Sequence, residues 1–223
     1  MTLATPAIPP LLLSPHHTAL LIQDMQCNLV HPEYGLGQVS ATRGVSLEFE
    51  EYFHQLHRVV GNIGLLRKAA MAHGIMVVYT GLAQPPDGAP SSLQRALGLC
   101  APQGDDQSQI LPGLAPDPPQ RIFYRRGFNA FHETALLAFL RDGGITNLLV
   151  TGVITEFGIR ATAGSAQDLG FGPLIVSDAT ASLTQATQTR TLQEMAYGLT
   201  KVRSTGELLT YLDEMAEQDG KWV

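Results

Sequence analysis

The sequence predicts an α/β fold: a three-layer, Rossmann-like sandwich around a six-stranded, mainly parallel sheet in the order 3-2-1-4-5-6. Three observations predict it. Short apolar runs of strand length recur at 18–23 (TALLIQ), 75–80 (IMVVYT), 121–124 (RIFY), 147–151 (NLLVT) and 173–177 (PLIVS), with a shorter one at 201–204. Helical segments alternate with the strands, and such alternation calls for a parallel sheet covered on both faces. The 223 residues are enough to bury one large core.

Composition narrows the function classes. The net charge is -6, from 14 basic and 20 acidic residues, and no basic run marks a nucleic-acid partner. No signal pattern opens the chain, and no apolar run reaches the roughly 18 residues of a membrane span, so a soluble, cytoplasmic protein is expected. Cys27 and Cys100 form neither a disulfide framework nor a zinc-ligand pattern. No metal and no cofactor is expected. Residues 1–17 read as an extended arm and 18–223 as one domain, punctuated but not divided by proline-rich pieces at 6–15, 84–90 and 112–119.

In order, Pro6, Pro9, Pro10 and Pro15 forbid a helix in the arm, which reads as a surface strap, a tail or a subunit contact. The first strand ends in Asp24-Met25-Gln26. A carboxylate there sits at the strand's C-terminal edge, where open α/β sheets carry their ligands; a turn or cap role is the plainer alternative. Residues 27–45 hold three glycines, a proline and little periodicity, so they read as a long loop, a lid or a simple excursion, with Tyr34 and Arg43 available to a ligand. Ser46 to Ala72 is the clearest helix, with Ser46 as its cap and Gly74 past its end. His54 and His57 lie one turn apart on it without a third ligand, and read as solvated or partner-facing.

After the second strand comes a long connection, 81–120, with one short helix near Ser91 to Leu97. Gln84 and Arg95 are its candidates for reaching a substrate. The third strand runs into Arg125, again at the ligand edge. Asn129 is expected to cap a helix whose apolar face is Phe131, Leu136, Leu137, Phe139 and Leu140, closed by Gly143 and Gly144. The fourth strand enters a glycine turn and a helix with small residues on one face: Gly158, Ala161, Thr162, Ser165 and Ala166. Such a turn aims free N–H groups and a helix dipole at one point, which suits an anion, a carbonyl oxygen or a thiolate. The turn holds no cysteine or serine; it holds Gly158. The fifth strand is expected to end at Asp178-Ala179, followed by a helix from Thr184 to Tyr197, a short sixth strand and a closing helix from Thr205 to Glu217.

Asp24, Arg125 and the Gly158 turn thus fall on one sheet edge, with strands one and four flanking the topological switch point. At these residues the chain resembles the isochorismatase-like, or cysteine hydrolase, superfamily, from about Thr18 to Leu212. The matching pieces are ALLIQDMQ (19–26), VVYT (77–80), GFNAFHETAL (127–136), GVITEFGIRATA (152–163), DLGF (168–171) and VSDATAS (176–182). The resemblance implies an Asp–Lys–Cys triad whose positions fall on Asp24, Arg125 and Gly158, a non-proline cis peptide at Val153–Ile154, and a homo-oligomer, dimer or tetramer. Together with Gln84 and Arg95, the candidate substrate contacts are Gln26, Ile154, Thr155 and Phe157.

Gly158 removes the nucleophile that covalent amide hydrolysis needs. The metal-binding, nicotinamidase-like branch also expects histidines after the second strand, and residues 80–88 hold none. Cys27 lies away from the helix N-terminus that would activate it. The isochorismatase branch, some of whose members carry Gly in place of Cys, cleaves a vinyl ether with a proton delivered by one carboxylic acid. Asp24 would be that acid, which requires an apolar setting to raise its pKa. Arg125 and Arg95 would hold substrate carboxylates, although a fixed cation beside Asp24 lowers its pKa. Two expectations follow: a hydrolase without a cysteine acting on an isochorismate-like enol ether or another small carboxylate, or a degenerate member that binds a small acid or serves an assembly.

Overall fold

The computed structural model describes residues 13–86, 88–197 and 200–219. Most of the expected arm, residues 1–12, lies outside that range; Pro15–His17 forms a single 3-10 turn. Six strands form one sheet: β1 (Thr18–Gln23), β2 (Met76–Leu82), β3 (Arg121–Arg125), β4 (Asn147–Val153), β5 (Gly172–Ala181) and β6 (Lys201–Arg203). Every pairing is parallel and the order is β3-β2-β1-β4-β5-β6. Strands buried on both faces need continuous apolar runs, and β1 is buried at all six positions.

Alternate residues feed opposite layers. Leu20 and Ile22 of β1, with Tyr79, Leu149 and Leu174, belong to the core shared with α3 (Glu50–Ala72) and α8 (Thr205–Asp219), through Tyr52, Val59, Ile63, Leu208 and Leu212. Ala19 and Leu21, with Val78, Val150 and Ile175, belong to the second core, shared with α5 (Leu136–Asp142), α6 (Arg160–Asp168) and α7 (Gln185–Tyr197). The remaining helices, α1 (Cys27–Val30), α2 (Gly35–Thr42) and α4 (Ser92–Leu97), gather near the C-terminal edge of the sheet.

Residues 27–45 are not a loop but mainly α1 and α2. Their glycines serve close packing: a Cβ on Gly35 would lie 2.1 Å from the Asn28 carbonyl oxygen, and one on Gly37 would lie 1.8 Å from that of Pro32. Arg43 donates to the Ala96 carbonyl at 3.1 Å, and Tyr34 stands edge-on to His31, so neither faces the cavity described below. Ser46 does not cap the long helix. It opens a 3-10 turn, Ser46–Phe49, and α3 starts at Glu50, where Glu50 and Glu51 complement the helix dipole. His54 and His57 on α3 are exposed.

Asn129 does not cap a helix either. Its Oδ1 accepts from the Phe131 N–H at 2.9 Å, an Asx turn, while its Nδ2 donates to Ser165 Oγ at 2.9 Å. The helix begins seven residues later, and Phe131 stacks on Phe171 ahead of it. β5 continues to Ala181 across a register shift opposite Val150 and Gly152. Asp178 therefore lies inside the strand, and its Oδ1 accepts from the Thr205 N–H and hydroxyl at 2.7 and 2.8 Å, satisfying a free N–H at the start of α8.

Candidate active site

The floor of the site is assembled at the switch point between β1 and β4. Asp24 leaves β1 in the left-handed region, φ 59°, with its N–H on the Thr80 carbonyl at 2.9 Å. β4 approaches β1 so closely at Gly152 (φ 110°) that a Cβ there would stand 1.9 Å from the Gln23 carbonyl oxygen. Beyond it the Val153–Ile154 peptide is cis, as the resemblance implied, and Thr155–Ile159 forms a single π turn rather than the first turn of an α-helix. This turn lowers Gly158 onto the floor. A Cβ on Gly158 would lie 3.4 Å from Asp24 Oδ2 and 3.2 Å from Arg125 Nη2. Arg125, the last residue of β3, donates through Nη2 to Asp24 Oδ2, and both side chains are buried. The three candidates taken from separate parts of the sequence are thus in mutual contact distance.

Burial is the main electrostatic cause. It pushes the Asp24 carboxyl up to about 6; the Arg125 guanidinium and the nearby Gln23 amide pull the other way and are outweighed. Burial lowers the Arg125 pKa, against the opposing pull of Asp24. The lowering effect of the cation expected from the sequence is present, but removal from water is larger.

A cavity of about 310 Å³ opens over this floor. Asp24, Arg125 and Gly158 face it from below, and Ile154 and Phe157 form part of its wall. The rest is built by Leu29 of α1, Leu36 of α2, Phe49, Leu82 at the end of β2, and Leu93 and Leu97 of α4, with Leu99, Phe128 and Leu183. Phe128 and Phe157, both partly exposed, stack with ring centroids 5.5 Å apart. The volume is at the small end of the range for small-molecule sites, and the lining is apolar with its polar groups at one end.

Four expected contacts lie elsewhere. Gln26 does not line the cavity. It is wholly buried, accepts from the Leu82 N–H at 2.6 Å and donates to the Leu82 and Ser108 carbonyls at 3.3 and 2.6 Å. Gln84 donates to the Gly88 carbonyl at 2.6 Å, with its backbone bridged to Pro102. Arg95 is exposed and its guanidinium donates to the Pro90 carbonyl. The cause is helical geometry: Leu93 and Leu97, four apart, share the cavity face of α4 and turn Arg95 away. Thr155, the first residue of the turn, is buried off the cavity wall, and its hydroxyl has no partner among the described residues. Cys27 also lies off the wall, and burial raises its thiol pKa. Among the described residues, no cluster of three or more His, Cys, Asp or Glu could hold a metal ion, and no helix is long and apolar enough to cross a membrane.

Sequence reasoning missed Gln23. Its amide is fully buried beside Asp24, whose pKa it helps to lower, and its Nε2 would lie 2.5 Å from a Cβ on Gly158. The available signal was one amide closing an apolar run directly before Asp24.

Residues 18–207 match the family model of the isochorismatase domain. The chain belongs to the isochorismatase family. Among curated members, enterobactin synthase component B of Escherichia coli (strain K12) is 29% identical over 200 residues, covering 87% of this chain and 63% of that protein. This chain therefore spans less than two thirds of that relative's length. Phenazine biosynthesis protein PhzD1 of Pseudomonas aeruginosa is 26% identical over 204 residues, covering 88% of this chain and 87% of that one. Among solved structures, an isochorismatase family protein from Desulfovibrio vulgaris is 28% identical with a TM-score of 0.70, covering 90% of this chain and 98% of that chain. A cysteine hydrolase from Pseudomonas syringae pv. phaseolicola reaches a TM-score of 0.79 at 21% identity, over 95% and 99% of the two chains, a likeness of fold.

Proposed function

We propose that this isochorismatase-family chain hydrolyses a small carboxylated enol ether by acid catalysis from Asp24, without a covalent nucleophile. One observation carries the reading: a buried carboxyl with a pKa of about 6 faces an apolar cavity beside a glycine at the position where the resemblance places a cysteine. Similarity to a Bacillus subtilis protein named isochorismatase, 29% identical over 170 residues, supports it.

The chemistry follows from one acid. Protonated Asp24 gives its proton to the terminal enol carbon, and the C=C pair forms the new C–H bond. The ether oxygen stabilises the resulting cation. Water adds to the cationic carbon and its proton returns to Asp24. The hemiketal then collapses: Asp24 protonates the leaving ether oxygen, that C–O bond breaks with its pair going to the alcohol, the hydroxyl O–H pair forms the ketone C=O of pyruvate, and the hydroxyl proton returns to Asp24. Arg125 holds the carboxylate on the enol carbon, a task suited to a guanidinium. Burial in this apolar setting raises the Asp24 pKa to about 6, so the carboxyl is protonated in weakly acid solution and a fraction of it stays so toward neutral pH.

Pyruvate release from isochorismate and from simpler enol ethers, by the wild type beside Asp24→Asn, tests this. Release abolished in the variant is expected; release that persists at the wild-type rate removes Asp24 as the acid. A second reading, binding of a small acid without turnover, is favoured by the Asp24–Arg125 pair, which holds both groups together. It predicts a calorimetric binding signal, no pyruvate, and unchanged affinity in Asp24→Asn.

A further inference from the structure

Resting on the acid-catalysed reading, we propose that the substrate is a monocarboxylate: one acid group on the enol carbon, and an apolar ring or chain as the leaving alcohol. Two observations carry this. Arg125 is the one cationic side chain on the cavity wall among the described residues. Arg95 is turned to the Pro90 carbonyl, and Arg126 donates to the Ala89 carbonyl at 3.3 Å. Independently, among the residues that line the cavity, the buried side-chain polar atoms without a hydrogen-bond partner among the described residues are Asp24 Oδ1 and Arg125 Nε, both at its floor. Arg125 therefore keeps donor capacity for one carboxylate while its Nη2 meets Asp24.

The leaving group lies against Leu29, Leu36, Leu93, Leu97 and Leu99, which offer it no side-chain hydrogen bond. A second carboxylate there would lose its water without gaining a partner. The bond changes are those of the enol-ether hydrolysis above; only the alcohol differs, becoming an alicyclic, aromatic or branched aliphatic one. Its release supplies pyruvate and an apolar alcohol.

The test compares α-(cyclohexyloxy)acrylate, with one carboxylate, and isochorismate, with two, by pyruvate release. A kcat/KM higher by about 100-fold or more for the monoacid is expected, the size of a discrimination against one buried unpaired charge. Leu97→Arg should narrow that ratio by placing a second cation on the wall. Equal or faster turnover of isochorismate would overturn the monocarboxylate proposal and leave acid catalysis standing. If neither compound yields pyruvate, acid catalysis fails instead. The ligand class is then decided by calorimetry with the unreactive α-(cyclohexyloxy)propanoate and its ring-carboxylated counterpart. Tighter binding of the monoacid upholds the proposal, and equal or tighter binding of the diacid sinks it.

Discussion

The Gln23 amide occupies the space that any side chain at position 158 would need: a Cβ there would stand 2.5 Å from Gln23 Nε2. The backbones of Gln23 on β1 and of Gly158 in the π turn are held, so relief has to come from the Gln23 side chain turning aside within a fully buried site. Gly158→Ala is therefore expected to destabilise the fold by about 1–3 kcal/mol, the usual cost of overpacking. In the Gln23→Ala background most of that cost should vanish. A double-mutant cycle by urea denaturation reads the coupling, expected at about 1 kcal/mol or more. Additive losses would show that the two positions do not compete. Gly158→Cys alone should likewise cost stability as the Gln23 amide is displaced, and Gln23→Ala/Gly158→Cys should cost less.

Asp24 makes stability pH-dependent in a definite direction. Its ordinary pKa of 3.8 rises to about 6 on folding. Between those values the folded chain keeps a proton that the unfolded chain has released. Stability contributed by this group is greatest below about pH 4, falls as pH rises through the window, and is lowest above about pH 6. The loss is on the order of 2–3 kcal/mol. Asp24→Asn removes the titration, so the stability difference between wild type and variant should change across pH 4 to 6 and be level outside it. A difference that stays flat through the window would mean that Asp24 keeps an ordinary pKa.

The same shift sets the activity profile. An acid that must be protonated in the free enzyme gives a kcat/KM that falls tenfold per pH unit above about 6. Arg125 opposes the burial effect, so removing its charge in Arg125→Met should move the descending limb to higher pH while raising KM for a carboxylated substrate. A limb that moves to lower pH, or stays in place, would show that the guanidinium does not act on Asp24.

The strands were readable because strands buried on both faces are continuous apolar runs, and TALLIQ and NLLVTGV are of that kind. Asp24, Arg125 and Gly158 were findable because each sits next to such a run, at an edge the topology defines. The misses have physical causes. In α1 and α2 the glycines answer to close backbone approach, and sequence shows glycine without showing which demand it meets. Arg95 was selected by charge, but the side of a six-residue helix that faces a cavity depends on what packs there. Asp178 and Gln26 looked like edge groups, while their hydrogen bonds reach Thr205, Leu82 and Ser108, far along the chain. Gln23 gains its meaning only when the π turn descends on it.

Gln26 offers the sharpest separation of a structural role from a binding one. Its amide ties Leu82 at the end of β2 to Ser108, and Gln26 also forms a bridge with Ile110, so one residue anchors the excursion that contributes Leu93, Leu97 and Leu99 to the cavity. Gln26→Ala leaves the Leu82 N–H and the Ser108 carbonyl buried without this partner, which should cost about 2–4 kcal/mol. Hydrogen exchange at residues 105–112 should speed up, and KM should rise more than kcat falls, because the wall loosens while Asp24 keeps its setting. A variant with unchanged thermal stability but no ligand binding would reverse the assignment and make Gln26 a substrate contact after all.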